Sequence, residues 1–291
     1  MPYLYLVFSA IFIASSGIIA TFFNNKTKSY KNTTSFYYVF LSASMFLSWF
    51  LYYIFNFSFD IRVLPYSILF FVFFSGTFIF ELRAIQAGPT SLTSLMLQFS
   101  LIAVTLYCII VKWPNAKFSL LVVIGLILVI LSVTLCLYEG KSNKGLKITK
   151  KWLVFATLLL ISNAGSAIIQ KEQQIRFDGQ HGSMLMTVAC FFFFIYSLIM
   201  YIRSDKSEFK NNGKVSVFPI IAGVFNFGLN FLVILLAQQT LISPSVVYPV
   251  IAVGGLMCTM LFASLIFKER LAWWQWIGIA VGITAVTILN I

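Results

Sequence analysis

Residues 139–151 read EGKSNKGLKITKK, a polar segment that packs five lysines into thirteen positions between two long apolar regions. On its amino-terminal side, apolar runs lie near 2–23, 35–55, 66–87, 91–111 and 118–138. On its carboxy-terminal side they lie near 152–170, 183–203, 217–239, 245–267 and 271–291. A helix that crosses the hydrocarbon core of a bilayer takes about 20 apolar residues, so ten crossings use about 200 and leave no room for a further folded domain. The composition agrees. The 291 residues are 60% hydrophobic and 10% charged, with a mean hydropathy of +0.95, whereas a soluble domain carries roughly 25% charged residues. Continuous apolar runs of this length lack the short alternation of a membrane β-barrel, and backbone groups facing lipid must bond within their own segment. The sequence predicts an all-α integral membrane protein with ten transmembrane helices.

The basic segment divides the chain into 1–138 and 152–291, with 139–151 as the linker. At an offset of 153 residues the last run of each half aligns without a gap, setting Ile124, Gly125, Ile130, Val133 and Thr134 over Ile277, Gly278, Ile283, Val286 and Thr287. Two repeats of five spans each are expected. Because five is odd, the second repeat enters the membrane upside down relative to the first, the inverted-repeat plan of many secondary transporters.

Fifteen lysines and arginines fall in the connections after the odd-numbered spans and five, Arg62, Lys112, Lys117, Lys171 and Arg176, on the opposite face. The positive-inside rule puts the first face in the cytoplasm and both termini outside a cell membrane. Trp113, Trp152, Trp273, Trp274 and Trp276 stand at span ends, where interfacial aromatic belts form. The net charge of +12 is thereby read as orientation and not as a nucleic-acid surface, since no basic recognition face accompanies it.

With eight acids and one histidine, hydrolase, metal and glycosidase constellations cannot be assembled, and no phosphate-binding glycine loop is present. Cys108, Cys136, Cys190 and Cys258 sit singly in apolar runs, which argues against disulfides and metal. The chain is expected to be no enzyme and to use no cofactor.

Polar groups at membrane depth are costly and tend to face a bundle interior or a water-filled cavity. Glu81, with Thr77 one turn before it, is read either as a proton-coupling or cation-binding carboxylate or as half of a structural ion pair. Gln98 in span four, Asn163 with Ser166 and Gln170 in span six, and Asn226 with Asn230 in span eight are candidates to line a solute cavity. Paired carboxamides can bind a zwitterion or a sugar. The alternative for such amides is hydrogen bonding between helices. Tyr248 joins the solute candidates, while Pro249, Gly254 and Gly255 mark a gate or kink. Gly278 and Gly282 form a GxxxG packing face.

Residues 243–291, SPSVVYPVIAVGGLMCTMLFASLIFKERLAWWQWIGIAVGITAVTILNI, resemble the closing helix pair of the EamA-type branch of the drug/metabolite transporter superfamily. The resemblance lies in the proline opening the ninth helix, the turn of Lys268, Glu269 and Arg270, then Gln275, Gly278 and a small-residue last helix. Residues 84–94, AIQAGPTSLTS, are similar to the start of that family's fourth helix. The resemblance implies a secondary carrier for small organic solutes, often an exporter, with a central cavity lined by both repeats. Many ten-helix members of that family place both termini in the cytoplasm, opposite to the orientation the charges give.

The expected function is alternating-access transport, as an exporter, of a small polar or zwitterionic metabolite, with protons coupled through Glu81. Efflux of hydrophobic cations is the alternative, since the abundant Phe and Tyr offer cation-π contacts; a non-transporting membrane sensor is the reading from another class. The expected partners are a small-molecule solute, the bilayer and protons, with the chain a monomer or homodimer.

Overall fold

The structure, a computed structural model, describes all residues except 1, 28–32, 88–89, 112, 114–118, 138–148, 205–214, 239–241, 268–271 and 290–291. The described residues form ten α-helices: α1 (Pro2–Thr27), α2 (Thr33–Phe55), α3 (Leu64–Ala87), α4 (Thr90–Ile110), α5 (Leu120–Leu137), α6 (Lys150–Arg176), α7 (Gly182–Arg203), α8 (Val217–Gln238), α9 (Pro244–Phe267) and α10 (Trp273–Leu289). A 3₁₀ turn, Ile61–Val63, leads into α3. Seven of the helices are long and apolar enough to cross a membrane. In α4, α5 and α10 the described apolar stretches are shorter, Met96–Ile110, Leu120–Leu135 and Trp273–Ile288. The outward faces carry exposed large side chains such as Leu51, Ile68, Leu153 and Ile202. Such faces suit acyl chains as solvent, and the fold is that of an all-α membrane protein.

The closest-packed helix pairs all join one half of the chain to the other: α3 with α6, α1 with α8, α5 with α10, α2 with α7 and α1 with α9. Exchanging the halves, so that α1 becomes α6 and so on, maps these pairings onto observed ones. The α3–α6 contact corresponds to α1–α8, α1–α9 to α4–α6, and α2–α8 to α3–α7. Inside lipid there is no hydrophobic drive between helices, so close approach through small residues decides such contacts. At the α2–α8 crossing a Cβ on Gly223 would overlap Ser44 Oγ and lie 2.6 Å from the Leu41 carbonyl oxygen, so only glycine lets the backbones meet. The other half of the interior is aromatic: Trp49, Phe70, Phe74 and Phe193 are buried between α2, α3 and α7, with Phe74 edge-on to Phe193 at a centroid separation of 6.0 Å. Edge-to-face pairs of this kind add to the area they bury.

Two expectations change. Span six does not stop near residue 170: α6 continues through QKEQQIR to Arg176, because these residues are good helix formers and their polar ends are taken up by protein instead of lipid. Trp113 and Trp152 are not belt residues. Both are buried, and their indole N–H groups donate to Glu172 Oε1 and, over 3.1 Å, to Thr93 Oγ1. Trp273 and Trp276 are exposed at the start of α10, as a belt requires. α9 continues as a helix through Pro249, and Gly254 and Gly255 approach Ala10 and Ile13 of α1, a close packing contact. Most of the linker, 139–148, and the turn at Lys268, Glu269 and Arg270 lie outside the described residues. At the linker's end Thr149 caps α6, its Oγ1 accepting from Trp152 N over 3.1 Å and donating to the Ala87 carbonyl over 3.0 Å.

Candidate functional site

Along α6, positions 163, 166, 170 and 173/174 recur at the three-to-four spacing that keeps side chains on one face. The polar stripe they form runs from mid-helix to one end of the bundle. Asn163 Nδ2 donates to Ser100 Oγ of α4, and Ser166 Oγ bonds back to the Asn163 carbonyl over 2.9 Å. Gln170, Gln173 and Gln174 are buried. Gln170 Nε2 lies 3.8 Å from Met186 Sδ of α7. Beside the stripe, Lys171 is also buried and donates from Nζ to the Ala237 carbonyl of α8 over 2.6 Å. No described carboxylate pairs with it.

The stripe ends in the loop between α6 and α7. Asp178, Gly179 and His181 adopt positive φ of 48°, 77° and 59°. For non-glycine residues this left-handed region is sparsely populated, and such strain persists only where surroundings enforce it. They do so here from two sides. Gln173 Nε2 donates to the Gln180 carbonyl over 2.8 Å, and Gln238 Nε2 at the end of α8 donates to the Gly179 carbonyl over 2.6 Å.

Two cavities flank this loop. The larger, about 640 Å³, is lined by Asp60, Arg62, Tyr66, Arg176, Phe177 and Asp178. The smaller, about 260 Å³, lies between Trp49 and Tyr52 of α2 and Phe231, Ile234 and Leu235 of α8. Gln180 and His181 line both. In the larger cavity Asp60 holds Arg62 in a forked pair with Nη2 at 2.6 Å, which draws the Asp60 carboxyl down to a pKa of about 2. Phe177 is ringed by Tyr66 and His181, each edge-on at 5.9 Å, and by the Arg62 guanidinium at 5.7 Å. Among the described residues the indole N–H of the fully buried Trp49 has no acceptor, and His181 Nδ1 is likewise unpartnered.

Neither cavity is lined by the carboxamides singled out in the sequence. Those fall into two groups. Gln98 is half-buried on α4, while Asn163 and the buried Tyr248 lie around the α4–α6–α9 contact, where Asn163 reaches Ser100 and Tyr248 packs with Val104, Cys108 and Trp113. Asn226 donates to Ser16 Oγ of α1 over 2.8 Å and Asn230 to the Asn226 carbonyl over 2.9 Å, at the α1–α8 contact. Glu81 is half-buried, makes no ion pair with a described residue, and has Tyr37 and Tyr38 of α2 within electrostatic range. In the GxxxG face, Ser132 Oγ of α5 donates to the Gly278 carbonyl over 2.7 Å, and a Cβ on Gly282 would come within 2.7 Å of both Ser132 Oγ and Val253 Cγ1.

Residues 150–291 match the EamA-like transporter family. Through this half the chain belongs to the EamA-like transporter family. That family sits in the drug/metabolite transporter superfamily, so the chain is a multi-pass membrane protein of the drug/metabolite transporter type. The EamA-like match begins at the first residues of α6 and takes in the polar stripe, the strained loop and α7–α10. Among solved structures 29 chains match. One crystal structure superposes with a TM-score of 0.70 over 97% of this chain and 94% of its own, at 11% identity, a likeness of fold alone. No curated protein matches.

What residue-by-residue reading missed is the end of the EamA-like bundle at His181. The run QKEQQIRFDGQHG at 170–182 carries the signal, eight hydrogen-bonding or charged side chains ahead of the glycine-flanked histidine.

Proposed function

We propose that the chain is a secondary carrier that moves a small polar or zwitterionic organic metabolite by alternating access, working as an exporter. The observation that carries this reading is the stripe Asn163, Ser166, Gln170 and Gln173/Gln174, which leads polar groups from the middle of α6 to the two cavities. A buried polar row in a lipid-embedded bundle costs free energy unless its groups are hydrogen-bonded or face a wet path, and here Gln170 has only Met186 Sδ as a partner and Gln174 Oε1 has none among the described residues. Asn226, bonded to Ser16 of α1, and Asn230 one turn on supply a second set of carboxamides from α8.

Alternating access calls for two halves that move against each other around a fixed site, and the pairing pattern that maps onto itself when the halves are exchanged supports an inverted-repeat arrangement of 1–138 and 152–291. In this reading Glu81, set apart from any described cation and close to two phenols, takes up and releases the coupling proton. The cavities face the extracytoplasmic side if the charge bias sets the orientation. The family resemblance supports the direction of transport.

The test is uptake into proteoliposomes of labelled amino acids, sugars and quaternary ammonium compounds. Saturable flux confined to one polar class, reduced about tenfold or more by Gln170→Leu, is expected. Flux of unrelated hydrophobic cations with no class selectivity overturns the reading in favour of drug efflux.

A further inference from the structure

The two cavities differ in chemistry and meet at Gln180 and His181. In the larger one, Asp60 and Arg62 are spent on each other. That leaves Arg176 and Asp178, both exposed and neither ion-paired with a described residue: one cation and one anion on the same wall. A solute with one carboxylate and one ammonium group matches that pair, whereas a solute of single charge leaves one of the two unanswered. An arginine fork suits a carboxylate in particular.

The smaller cavity is of the opposite kind. Trp49 lies six residues from the end of α2 and Phe231 seven from the end of α8, so the space reaches about 10 Å down between the two helices. Its walls are Tyr52, Phe231, Ile234 and Leu235. A volume of 260 Å³ equals that of roughly nine water molecules in the liquid, enough for a branched or cyclic hydrocarbon group.

We infer that the two cavities form one bipartite site for a zwitterion with a compact apolar body, its charged head between Arg176 and Asp178 and its body in the chamber between Tyr52, Phe231, Ile234 and Leu235. The strained loop joins the two parts. Held by Gln173 and Gln238, it fixes His181 at the junction before any solute arrives, so little ordering remains to be done on binding. This inference rests on the carrier reading for its place on a transport path, but binding at the site can be measured without flux.

The experiment uses the purified full-length chain and thermal stabilisation by four probes: L-leucine, 3-methylbutylamine, which lacks the carboxylate, 4-methylpentanoate, which lacks the ammonium, and glycine, which lacks the body. L-leucine should stabilise saturably, and both singly charged relatives should need at least about tenfold more. Arg176→Gln and Asp178→Asn should each weaken L-leucine by about tenfold. Leu235→Trp, which fills the smaller cavity, should abolish L-leucine binding while leaving glycine binding unchanged, a readout that a misfolded variant would fail. Equal binding of the singly charged relatives, or no binding of L-leucine, overturns the inference. L-leucine binding with no flux in proteoliposomes sinks the carrier reading and leaves the site; selective flux of a sugar with no L-leucine binding does the reverse.

Discussion

The carboxamide of Asn226 in α8 donates to the hydroxyl of Ser16 in α1 across 2.8 Å, tying together residues 210 positions apart. It also donates to the Ala222 carbonyl of its own helix over 2.9 Å. Hydrogen bonds between membrane helices contribute on average only about 0.6 kcal/mol, so Ser16→Ala should cost little stability. If Asn226 also meets the solute, Asn226→Ala lowers transport by about tenfold while Ser16→Ala stays within about twofold of the parent. Proteoliposome rates measure this, and equal losses would reduce Asn226 to a fastener between helices.

Gly223 offers a test of packing. Alanine there would collide with Ser44 Oγ and with the Leu41 carbonyl, and the carbonyl belongs to a helix backbone that cannot rotate away. Overpacking of this kind costs typically about 1–3 kcal/mol. Gly223→Ala should lower the thermal midpoint in detergent and reduce the yield of monodisperse protein. Gly17→Ala, whose Cβ would meet nothing within 4 Å, should leave both unchanged.

For Glu81 the expectation separates coupling from binding. Glu81→Gln keeps the shape of the side chain and removes its exchangeable charge, so pH-gradient-driven flux should fall to background while solute counterflow at equal pH persists. Loss of both together would make Glu81 a structural or solute-binding group instead.

Asp60 should not set the pH profile. Its carboxyl is held well below its ordinary value, to about 2, first by the side-chain hydrogen bond from Arg62. A depressed acid contributes stability above its unfolded pKa, and that contribution is lost only as the pH falls through the folded one. The Asp60–Arg62 pair therefore stays intact above roughly pH 4. Asp60→Asn should leave the shape of the transport curve between pH 5 and 8 unaltered; a displaced midpoint in that window would show that Asp60 titrates there.

The orientation drawn from the lysines and arginines is open to a direct test. Ser58 lines the smaller cavity in the connection before α3. Ser58→Cys should react with a membrane-impermeant maleimide in intact cells if that connection faces outward. Labelling only after permeabilisation would place the termini in the cytoplasm.

The ten helices were legible because each is a long hydropathic run, and a bilayer imposes its thickness on sequence. The outer turns of α6 were not, since hydropathy falls from Gln170 onward although the chain stays helical; what shields those side chains is α7 and α8, distant in sequence. Asn163, Ser166 and Gln170 could be read as one stripe from their spacing, and the stripe is there. Trp113 misled because a tryptophan at a span end suits an interface, and nothing local announces that Glu172, 59 residues later, accepts its N–H. Arg176 and Asp178 escaped because their significance lies in a cavity they share with Asp60 and Arg62, more than 110 residues earlier, which a sequence cannot display.

The cross-half pairing of helices bears on how the protein is made. When the ribosome has delivered α1 to α5, the principal neighbours of α1, α2, α3 and α5 have yet to be synthesised. The first five helices must therefore wait in the membrane with their contact faces turned to lipid or to an assembly factor, and the nascent protein acquires its core only as α6 to α10 arrive. Two separately encoded fragments, split between Leu137 and Lys150, should each be degraded alone and rescue one another when produced together.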